Sequence, residues 1–427
     1  MTNMSPSVGK VPLLANDFSV VYESPDPDRV YCYSPGIVRL PGGRLVATLD
    51  LGGPGVRDLP AAARWAHGEN GHDWVGKIFT SDDGGQTWTH RADFPYMHAR
   101  PFLAGGRLYV LGRAADLMIV ASDDEGTTWS APAALSAGQY WHQSACNVHY
   151  ANGNVYLVME RRVSFDLPRW YVNELAPVLL RAPVEADLTR RENWTFASEI
   201  VFRDLVTQDD FFGMPFWETG NTDSTGQTTR RMEPMGWLET NVVQFVNPDH
   251  LWHDPSGHTF HLWMRAHTGG TGYACILKVT EQPDGSMTTA TVRVPSGRRI
   301  VYLPCPGGQM RFHVLYDAPT DRYWLLSTLA EDSMIRPERL SPLRHGLANN
   351  ERQVLALHFS TNMVDWRMAG IVAHGGSPRE ARHYASMIVS GDDLLVLSRS
   401  GDHRAKNAHD GNLITLHTVA AFRDLVY

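Results

Sequence analysis

The sequence predicts an all-β fold in which the 427 residues form a single six-bladed β-propeller. Three observations support this prediction: a hairpin pattern that recurs along the chain, a turn motif that recurs with it, and a composition suited to short strands. Helical periodicity is scarce, which argues against helix bundles and coiled coils. A β-sandwich or two smaller β domains are the competing architectures, but a sandwich does not need to repeat its turn chemistry.

The composition favours many short strands joined by tight turns. Aromatic residues make up 10% of the chain, with 13 Trp, and Gly (37) and Pro (26) are abundant. The 43% apolar and 20% charged residues are ordinary for a globular protein and argue against disorder. The formal net charge of −8 argues against a basic face, so no nucleic-acid partner is expected.

The Cys, His and N-terminal residues constrain cofactors and location. The four Cys form no CxxC pair, and His142 and His149 would point to opposite faces of a strand, so we predict no metal site and no cofactor. The N-terminus has no basic stretch followed by an apolar one, and no run approaches the ~18 apolar residues of a membrane helix. We therefore expect a cytoplasmic protein without a membrane partner, of undetermined oligomeric state.

A hairpin pattern recurs six times along the chain. Each copy has a short apolar run, a turn that usually contains Gly, and a second apolar run, at intervals of roughly 45–100 residues, which is typical of propeller blades. The copies span Ser34–Thr48, Arg100–Gly112, Ser144–Met159, Asn241–Met264, Met310–Leu326 and Ala385–Ser398.

These hairpins predict where the six blades begin and how the ring closes. Asn412–Val419 is predicted as a late strand of the last blade, and Phe18–Tyr22 as the strand that completes it. The segment around 163–237 is interpreted as an insertion loop over one face; because it is long, seven blades remain the alternative. The predicted inner strands begin near Tyr33, His98, His142, Glu239, Gln309 and Tyr384.

Two turns share the pattern S-x-D-x-G-x-T-W, at Ser81–Trp88 and at Ser122–Trp129. The Ser and Asp side chains can close such a turn by accepting backbone N–H groups, Gly supplies positive φ, and Trp fills the gap between blades. Degenerate copies follow at Asp187–Trp194 and Ser360–Trp366. This motif resembles the Asp box, or BNR repeat, of the sialidase (neuraminidase) superfamily, which implies a sialidase-like propeller.

Strand geometry predicts which residues face the central funnel. The first two strands of a blade are antiparallel, so the start of the first and the end of the second lie on the same face. Arg, His and carboxylate side chains converge there, which suggests an anionic or heavily hydroxylated ligand such as a carbohydrate. The substrate-binding candidates from this rule are Tyr33, Arg100, Arg161, Asn241, Arg265, His267, Gln309, Arg311 and Arg382.

The resemblance to sialidases extends to three candidate catalytic positions. Glu239 precedes a V-V strand as the family's Glu does, Arg265 ends its hairpin partner, and Tyr384 opens the last inner strand as the family's nucleophilic Tyr does. The resemblance implies that Glu239 takes the proton of the Tyr384 phenol, which is a poor nucleophile at a pKa of ~10.

Other positions depart from the sialidase pattern. The first of the family's three Arg residues is missing, because the matching place reads Tyr33-Ser34-Pro35. The third Arg corresponds to Arg311, with Gln309 competing for the place. The resemblance puts the acid/base Asp in the loop after the first hairpin, where Asp58 and Asp73 are candidates and Asp50 stays open.

These residues predict an exo-acting glycoside hydrolase that removes a terminal acidic or sialic-acid-like sugar. The first alternative is a uronate-directed polysaccharide lyase, in which His98 or His142, Tyr384 and Arg100 would supply base, acid and cation. The second alternative is a propeller that only binds glycans or proteins, since a fold alone licenses no activity.

Overall fold

The computed structural model describes residues 13–15, 17–61, 68–69, 72–168, 170–211, 234–334, 339 and 351–427. The fold is a six-bladed β-propeller, as predicted, with almost no helix. Each blade is an antiparallel sheet whose strands follow one another outward from the axis. This order places the inner strand of every blade against the central channel.

The strands of blades 1 to 3 follow chain order from the inside to the outside. Blade 1 has Tyr31–Arg39, Leu45–Gly52, Val75–Ser81 and Thr89–Phe94, and blade 2 has Met97–Ala104, Arg107–Ala114, Asp116–Ser122 and Ala133–Ala134. The inner strand of blade 3 is split into Trp141–His142 and His149–Ala151, followed by Asn154–Arg162, Leu175–Pro183 and Thr195–Phe196.

Blades 4 to 6 complete the ring. Blade 4 has Gly236–Val243, Thr259–His267, Tyr273–Glu281 and Met287–Ala290, with Tyr302–Pro304 paired to its third strand. Blade 5 has His313–Asp317, Arg322–Leu329, Val354–Ser360 and Arg367–His374. Blade 6 has Arg382–Ser390, Asp393–Ser400 and Leu413–Val419, and its outer strand is Phe18–Glu23. The predicted closure of the ring by both chain ends is confirmed.

The remaining elements are short. Gly68–Glu69 pairs with His72–Asp73, and Val292–Arg293 pairs with Arg299–Ile300. One α-helical turn spans Phe202–Leu205. The 3-10 turns are Val56–Asp58, Val172–Glu174, Arg191–Asn193, Gln208–Phe211, Asp332–Met334 and Phe422–Leu425.

The segment predicted as an insertion is in part blade. Leu175–Pro183 and Thr195–Phe196 are the third and fourth strands of blade 3, so the interpretation of 163–237 as one loop was too wide. The sequence concealed them because the third strand is almost continuously buried and lacks alternation. Residues 212–233 lie outside the described part of the chain.

Apolar side chains fill the spaces between neighbouring blades. The cluster between blades 6 and 1, for example, joins Leu395 and Ile414 to Leu45 and Leu49. Corresponding clusters lie at the other five blade interfaces. Since the apolar side chains pack between blades, residues near the ends of the inner strands line the openings of the channel.

The two predicted turns fold alike between the third and fourth strands. In blade 1, the amide of Gly85 donates to Ser81 Oγ at 2.8 Å, and the Thr87 amide donates to Asp83 at 2.9 Å. Ser122 and Asp124 form the corresponding bonds in blade 2. In the degenerate copy of blade 5, Asn362 takes the place of Asp and accepts the amide of Asp365. The turn chemistry predicted from the motif is thus present.

A β-bulge interrupts the inner strand of four blades at the same place. The first bulged residue has a left-handed backbone: Ser34 (φ 45°), His98 (φ 56°), Glu239 (φ 57°) and Tyr384 (φ 49°). Non-Gly residues seldom adopt this conformation, and strained bulges of this kind occur near active sites. Because the bulge adds one residue, the side chains before and after it no longer alternate regularly between the two faces of the strand at this end of the channel.

Candidate active site

A cavity of about 480 Å³ opens at the end of the channel where the bulges lie. Its walls combine aromatic rings with ionisable side chains, a mixture suited to a polar ligand with apolar faces. The lining residues are Tyr33, Ser34, Trp74, Met97, His98, Arg113, His142, Ser144, Pro168, Trp170, Tyr171, Glu239, Tyr384, Arg399 and His409.

One position of the second strand carries a buried charged residue in five of the six blades. In each, the residue pairs with the inner-strand residue just before the bulge or, in blade 3, before the interruption. These five residues are Asp50, Arg113, Glu160, Arg265 and Arg399. Burying an ionisable group is costly unless it has partners or gives up its charge, so five such groups at one level of the channel mark a candidate functional site.

Glu239, Arg265 and Tyr384 meet within this ring. Arg265 Nη1 donates to Glu239 Oε2 at 3.1 Å and to the Tyr384 hydroxyl oxygen at 2.7 Å. Arg265 is itself fixed by the Gln309 carbonyl, which accepts from its Nε at 2.8 Å. The hydroxyl oxygen accepts from Arg265, so its own proton is available to Glu239, with which it also bonds.

The pKa of Tyr384 is raised, with burial as the largest cause. Arg265 acts against this shift, and the Glu239 carboxylate adds to it. The phenol is therefore protonated in the resting site. A reaction at this oxygen requires its proton to leave as the new bond forms, and Glu239 is the adjacent acceptor.

Two further arginines surround Tyr384. Arg352 lies 5.4 Å from the centroid of the Tyr384 ring and Arg399 lies 5.3 Å from it. Arg399 also stacks on Tyr33 at 4.1 Å. Burial lowers the pKa of Arg352 to about 9, yet the side chain stays charged at neutral pH. The floor of the cavity is consequently rich in positive charge.

Two buried carboxyl groups hold the bulge of the following blade. Asp50 Oδ2 accepts the amide of His98 at 2.7 Å. Glu160 Oε1 accepts the amide of Thr240 at 3.0 Å and its hydroxyl at 2.7 Å. Burial raises the pKa of Asp50 to about 7 and that of Glu160 to about 8. Glu160 is therefore largely protonated at neutral pH.

The predicted meeting of His98 and His142 across neighbouring blades occurs. Their rings contact edge to face with centroids 4.8 Å apart. Burial lowers the pKa of His98 to about 3 and that of His142 well below its usual range, so both rings are neutral near pH 7. The rings of Trp170 and Tyr171 also lie edge to face with His142.

Tyr33, another lining residue, belongs to a second phenol–carboxylate pair. The Tyr33 hydroxyl donates to Asp410 Oδ1 at 2.7 Å, and His409 Nδ1 lies 2.6 Å from the same oxygen. Asp410 keeps a strongly lowered pKa; although burial acts to raise it, its bond with His409 prevails. Tyr33 thus belongs to the cavity wall, as predicted.

Several predicted substrate-binding residues are instead committed to the scaffold. Arg100 donates to the carbonyls of Asn147, Ser144 and Val158, and Asn241 bridges to Phe312 and Val314 of blade 5. Arg311 bonds the Tyr384 carbonyl and Ser386, while Gln309 bonds Thr328 and Gly272. Their polar atoms mostly bond backbone groups, which strand-end position alone does not disclose, and their contact with a ligand stays a prediction.

Other candidates lie outside the cavity wall. Asp58 is exposed and pairs with Arg29 at 2.8 Å, and Arg161 pairs with Glu199 at the surface. Arg382 donates to two carbonyls of its own blade, and His267 accepts from the lining residue Trp170 at 3.1 Å. The side chain of Asp73 lies outside the described residues.

Sequence reasoning did not select several residues of the site. Trp74, Trp170, Tyr171 and His409 come from segments between strands, and Arg352 precedes a third strand. A rule based on the ends of the first two strands cannot reach these places. The rule does collect Arg113, Glu160 and Arg399, but nothing in the sequence distinguishes them from scaffold residues such as Arg100.

Two general features of the described residues bear on the site. No group of three or more His, Cys, Asp or Glu side chains among them could hold a metal ion. No helix in the described part of the chain is long and apolar enough to span a membrane.

Comparison with known proteins reveals similarity of structure but not of sequence. No family model and no curated protein matches the chain. Among solved structures, an α-L-arabinanase of Penicillium chrysogenum complexed with arabinobiose has a TM-score of 0.51 at 12% identity, covering 96% of this chain and 99% of that one.

Two further structures give a similar result. A Trypanosoma rangeli sialidase in complex with the inhibitor DANA has a TM-score of 0.53 at 13% identity, covering 97% of this chain and 59% of that one. A Dyadobacter fermentans protein of unknown function has a TM-score of 0.51 at 12% identity, covering 95% of this chain and 98% of that one. At such identities the likeness is one of fold, so this chain shares its propeller architecture with these proteins.

Proposed function

We propose that this protein is a glycoside hydrolase that removes a terminal acidic sugar, of sialic-acid-like type, from a glycan. The observation that carries the proposal is the contact of Glu239, Arg265 and Tyr384 at the floor of a cavity of sugar-binding size. Neighbours with this fold include an arabinanase complexed with arabinobiose and a sialidase with a bound inhibitor, which supports a carbohydrate substrate.

The proposed first step is attack by the Tyr384 oxygen on the anomeric carbon. As the O–C bond forms, Glu239 accepts the phenol proton, and the bond to the leaving oxygen breaks with protonation of that oxygen. Arg265 contacts both partners and stabilises the charge that moves from Glu239 to the phenol oxygen. Water then cleaves the tyrosyl intermediate, and the proton returns to Tyr384.

The arginines of the cavity support an acidic substrate. Arg113 and Arg399 line the wall, whereas Arg265 and Arg352 lie around Tyr384. Glu239 is the single carboxylate among the described lining residues, so the wall carries excess positive charge. A guanidinium binds a carboxylate through paired hydrogen bonds, and we assign Arg399 and Arg113 to the acid group of the sugar.

The test compares Tyr384→Phe and Glu239→Gln with the wild type on aryl glycosides of acidic and neutral sugars. We expect hydrolysis of an acidic glycoside, with kcat/KM reduced on the order of 10³-fold in each variant. Arg399→Met should raise KM for acidic glycosides more than for neutral ones. Wild-type activity in Tyr384→Phe would contradict the assignment.

A uronate lyase is the second candidate, favoured by one observation: two neutral His rings line the same cavity as Tyr384. His98 or His142 would remove the proton beside the carboxylate and Tyr384 would protonate the leaving oxygen. Arg100 is not available for the enolate, because its guanidinium is bound to backbone carbonyls. Ultraviolet absorbance decides between the two, since a lyase product is unsaturated and a hydrolase product is not.

A further inference from the structure

The proposed hydrolysis needs a proton donor for the leaving oxygen, and the predicted one is not in place. Asp58 is exposed and paired with Arg29. Glu239 is engaged with Tyr384 and Arg265. Among the described residues that line the cavity, none is a second carboxyl group.

Two buried polar atoms without hydrogen-bond partners face each other behind the cavity wall. Glu160 Oε2 and His142 Nδ1 are 4.0 Å apart, and neither has another partner among the described residues. The Glu160 side chain is fully buried, whereas the ring of His142 lines the cavity. Unpartnered buried atoms are rare in proteins, and two that face each other call for an explanation.

Glu160 is otherwise firmly held. Its Oε1 accepts from the Thr240 amide, the Thr240 hydroxyl and Gln143 Nε2. All of these bonds are to one oxygen, so the other is free to carry a proton toward His142. The direction of the pKa shifts agrees with this, since burial favours a protonated Glu160 and a neutral His142.

We infer that Glu160 and His142 form a proton relay that serves the leaving oxygen of the substrate. This inference rests on the proposed function. His142 is the catalytic residue of the pair, because it lines the cavity, and Glu160 is a positioning residue that acts through it. The pair would replace the carboxyl group expected in the loop after the first hairpin.

The proton balance is as follows. With hydrogen on Nε2, His142 gives that proton to the leaving oxygen as the glycosidic bond breaks, and Nδ1 takes the proton of Glu160 Oε2. Glu160 becomes a carboxylate near the Arg100 guanidinium, and His142 remains neutral. In the second step, water gives a proton to Nε2 as it attacks, and Nδ1 returns its proton to Glu160. The 4.0 Å gap must close by roughly 1 Å, as catalytic bonds do on ligand binding.

The experiment measures the dependence of kcat/KM on the leaving group in Glu160→Gln. A Gln side chain keeps an oxygen for Thr240 but has no transferable proton. We expect kcat/KM to fall about 10²-fold or more for an alkyl glycoside or oligosaccharide, and less than about threefold for the 2,4-dinitrophenyl glycoside, whose departure needs no acid. His142→Gln should behave in the same way.

Controls separate this inference from the proposed function and from loss of structure. Glu199→Gln, a surface substitution in the same blade region, should match the wild type with both leaving groups. Thermal unfolding checks that Glu160→Gln is folded, and sodium azide, which needs no base, should restore turnover of the dinitrophenyl glycoside if its second step becomes slow.

The outcomes distinguish the two ideas. Equal losses with both leaving groups in Glu160→Gln, or no loss with either, would overturn the relay while Tyr384→Phe remains inactive. A leaving-group-dependent loss in Asp73→Asn but not in Glu160→Gln would also overturn it. Full activity of Tyr384→Phe with both substrates would instead reject the proposed hydrolase.

Discussion

The two ends of the central channel are built from the same strands and differ in chemistry. The end described above is lined by Arg113, Glu239, Tyr384 and Arg399. The opposite end holds a cavity of about 390 Å³ lined by apolar side chains such as Val38, Phe102 and Ile388 together with uncharged polar ones such as Gln244, and Arg100 is the one Arg among its described lining residues. Charge is therefore concentrated at one mouth of the propeller.

The bulges account for much of this difference. Beyond the bulge each inner strand keeps regular pairing to its end, for example from Ser386 with Leu397 to Ser390 with Asp393. At the bulge, two residues of the inner strand oppose one residue of the second strand. The first of the two has the left-handed backbone, and in blades 4 and 6 it is Glu239 or Tyr384. One strand can thus bury its apolar side chains between blades beyond the bulge and still direct a reactive side chain into the site at the bulge.

The largest effect is expected from Arg265→Met, which removes the cation at the centre of the charged end of the channel. This change leaves Glu239 buried without its cation and removes a hydrogen bond from Tyr384. We expect kcat/KM to fall on the order of 10³-fold and the free energy of unfolding to fall as well. Arg161→Met, at a surface ion pair, is the matched control and should stay within about twofold of the wild type.

A smaller effect is expected from Thr240→Val, which keeps the shape of the bulge residue beside Glu239. It removes the hydroxyl bond to Glu160 but retains the amide bond. We expect kcat to fall about five- to tenfold, because this buried hydrogen bond, of about 1 kcal/mol, helps to hold the bulge that positions Glu239. Thr89→Val, on an exposed strand, is the control, and steady-state kinetics at saturating substrate make the comparison. An unchanged kcat would mean that the bulge does not need this bond.

A pH-dependent effect is expected from Asp50→Asn. The pKa of Asp50 is raised from 3.8 to about 7, so between these values the folded chain holds a proton that the unfolded chain has released. The contribution of Asp50 to stability therefore declines as pH rises from about 4 to about 7 and is constant above. Relative to the wild type, the variant should gain stability over that interval in urea unfolding series; a constant difference would contradict this.

The smallest effect is expected at the opposite end of the channel. Ile388→Ala removes a partly buried side chain from the wall of the second cavity. We expect a loss of about 1 kcal/mol in the free energy of unfolding and unchanged kcat and KM. A change in kcat comparable with that of Thr240→Val would mean that the two ends are coupled.

The sequence predicted the features that depend on residues close together along the chain. Hairpins with Gly turns located the blades, and the Ser–Asp–Trp turns appeared with the expected bonds. Glu239, Arg265 and Tyr384 were selected together and do meet. The left-handed backbone at Glu239 and Tyr384 could not be foreseen, since neither residue type favours it.

Prediction failed where the partner of a side chain is far away in sequence. Arg100 and Arg399 both donate to backbone carbonyls, but Arg100 bonds three carbonyls of blade 3, whereas Arg399 bonds the His409 carbonyl, stacks on Tyr33 and lines the candidate active site. Which partners each Arg finds depends on how neighbouring blades pack in the assembled ring. Trp170 and His409 lie in connections whose course depends on the same assembly.

The closure of blade 6 has a consequence for how the chain reaches this structure. Phe18 pairs with His417, so the outer strand of that blade can be added only after nearly the whole chain is available. Joining segments so distant carries a large loop-closure entropy and gives contacts of high sequence separation, which slow folding. During synthesis the segment Phe18–Glu23 therefore stays unpaired until its partner strand, Leu413–Val419, has been made, while the other blades form. The two strands that close the ring, Phe18–Glu23 and Leu413–Val419, are therefore expected to pair last.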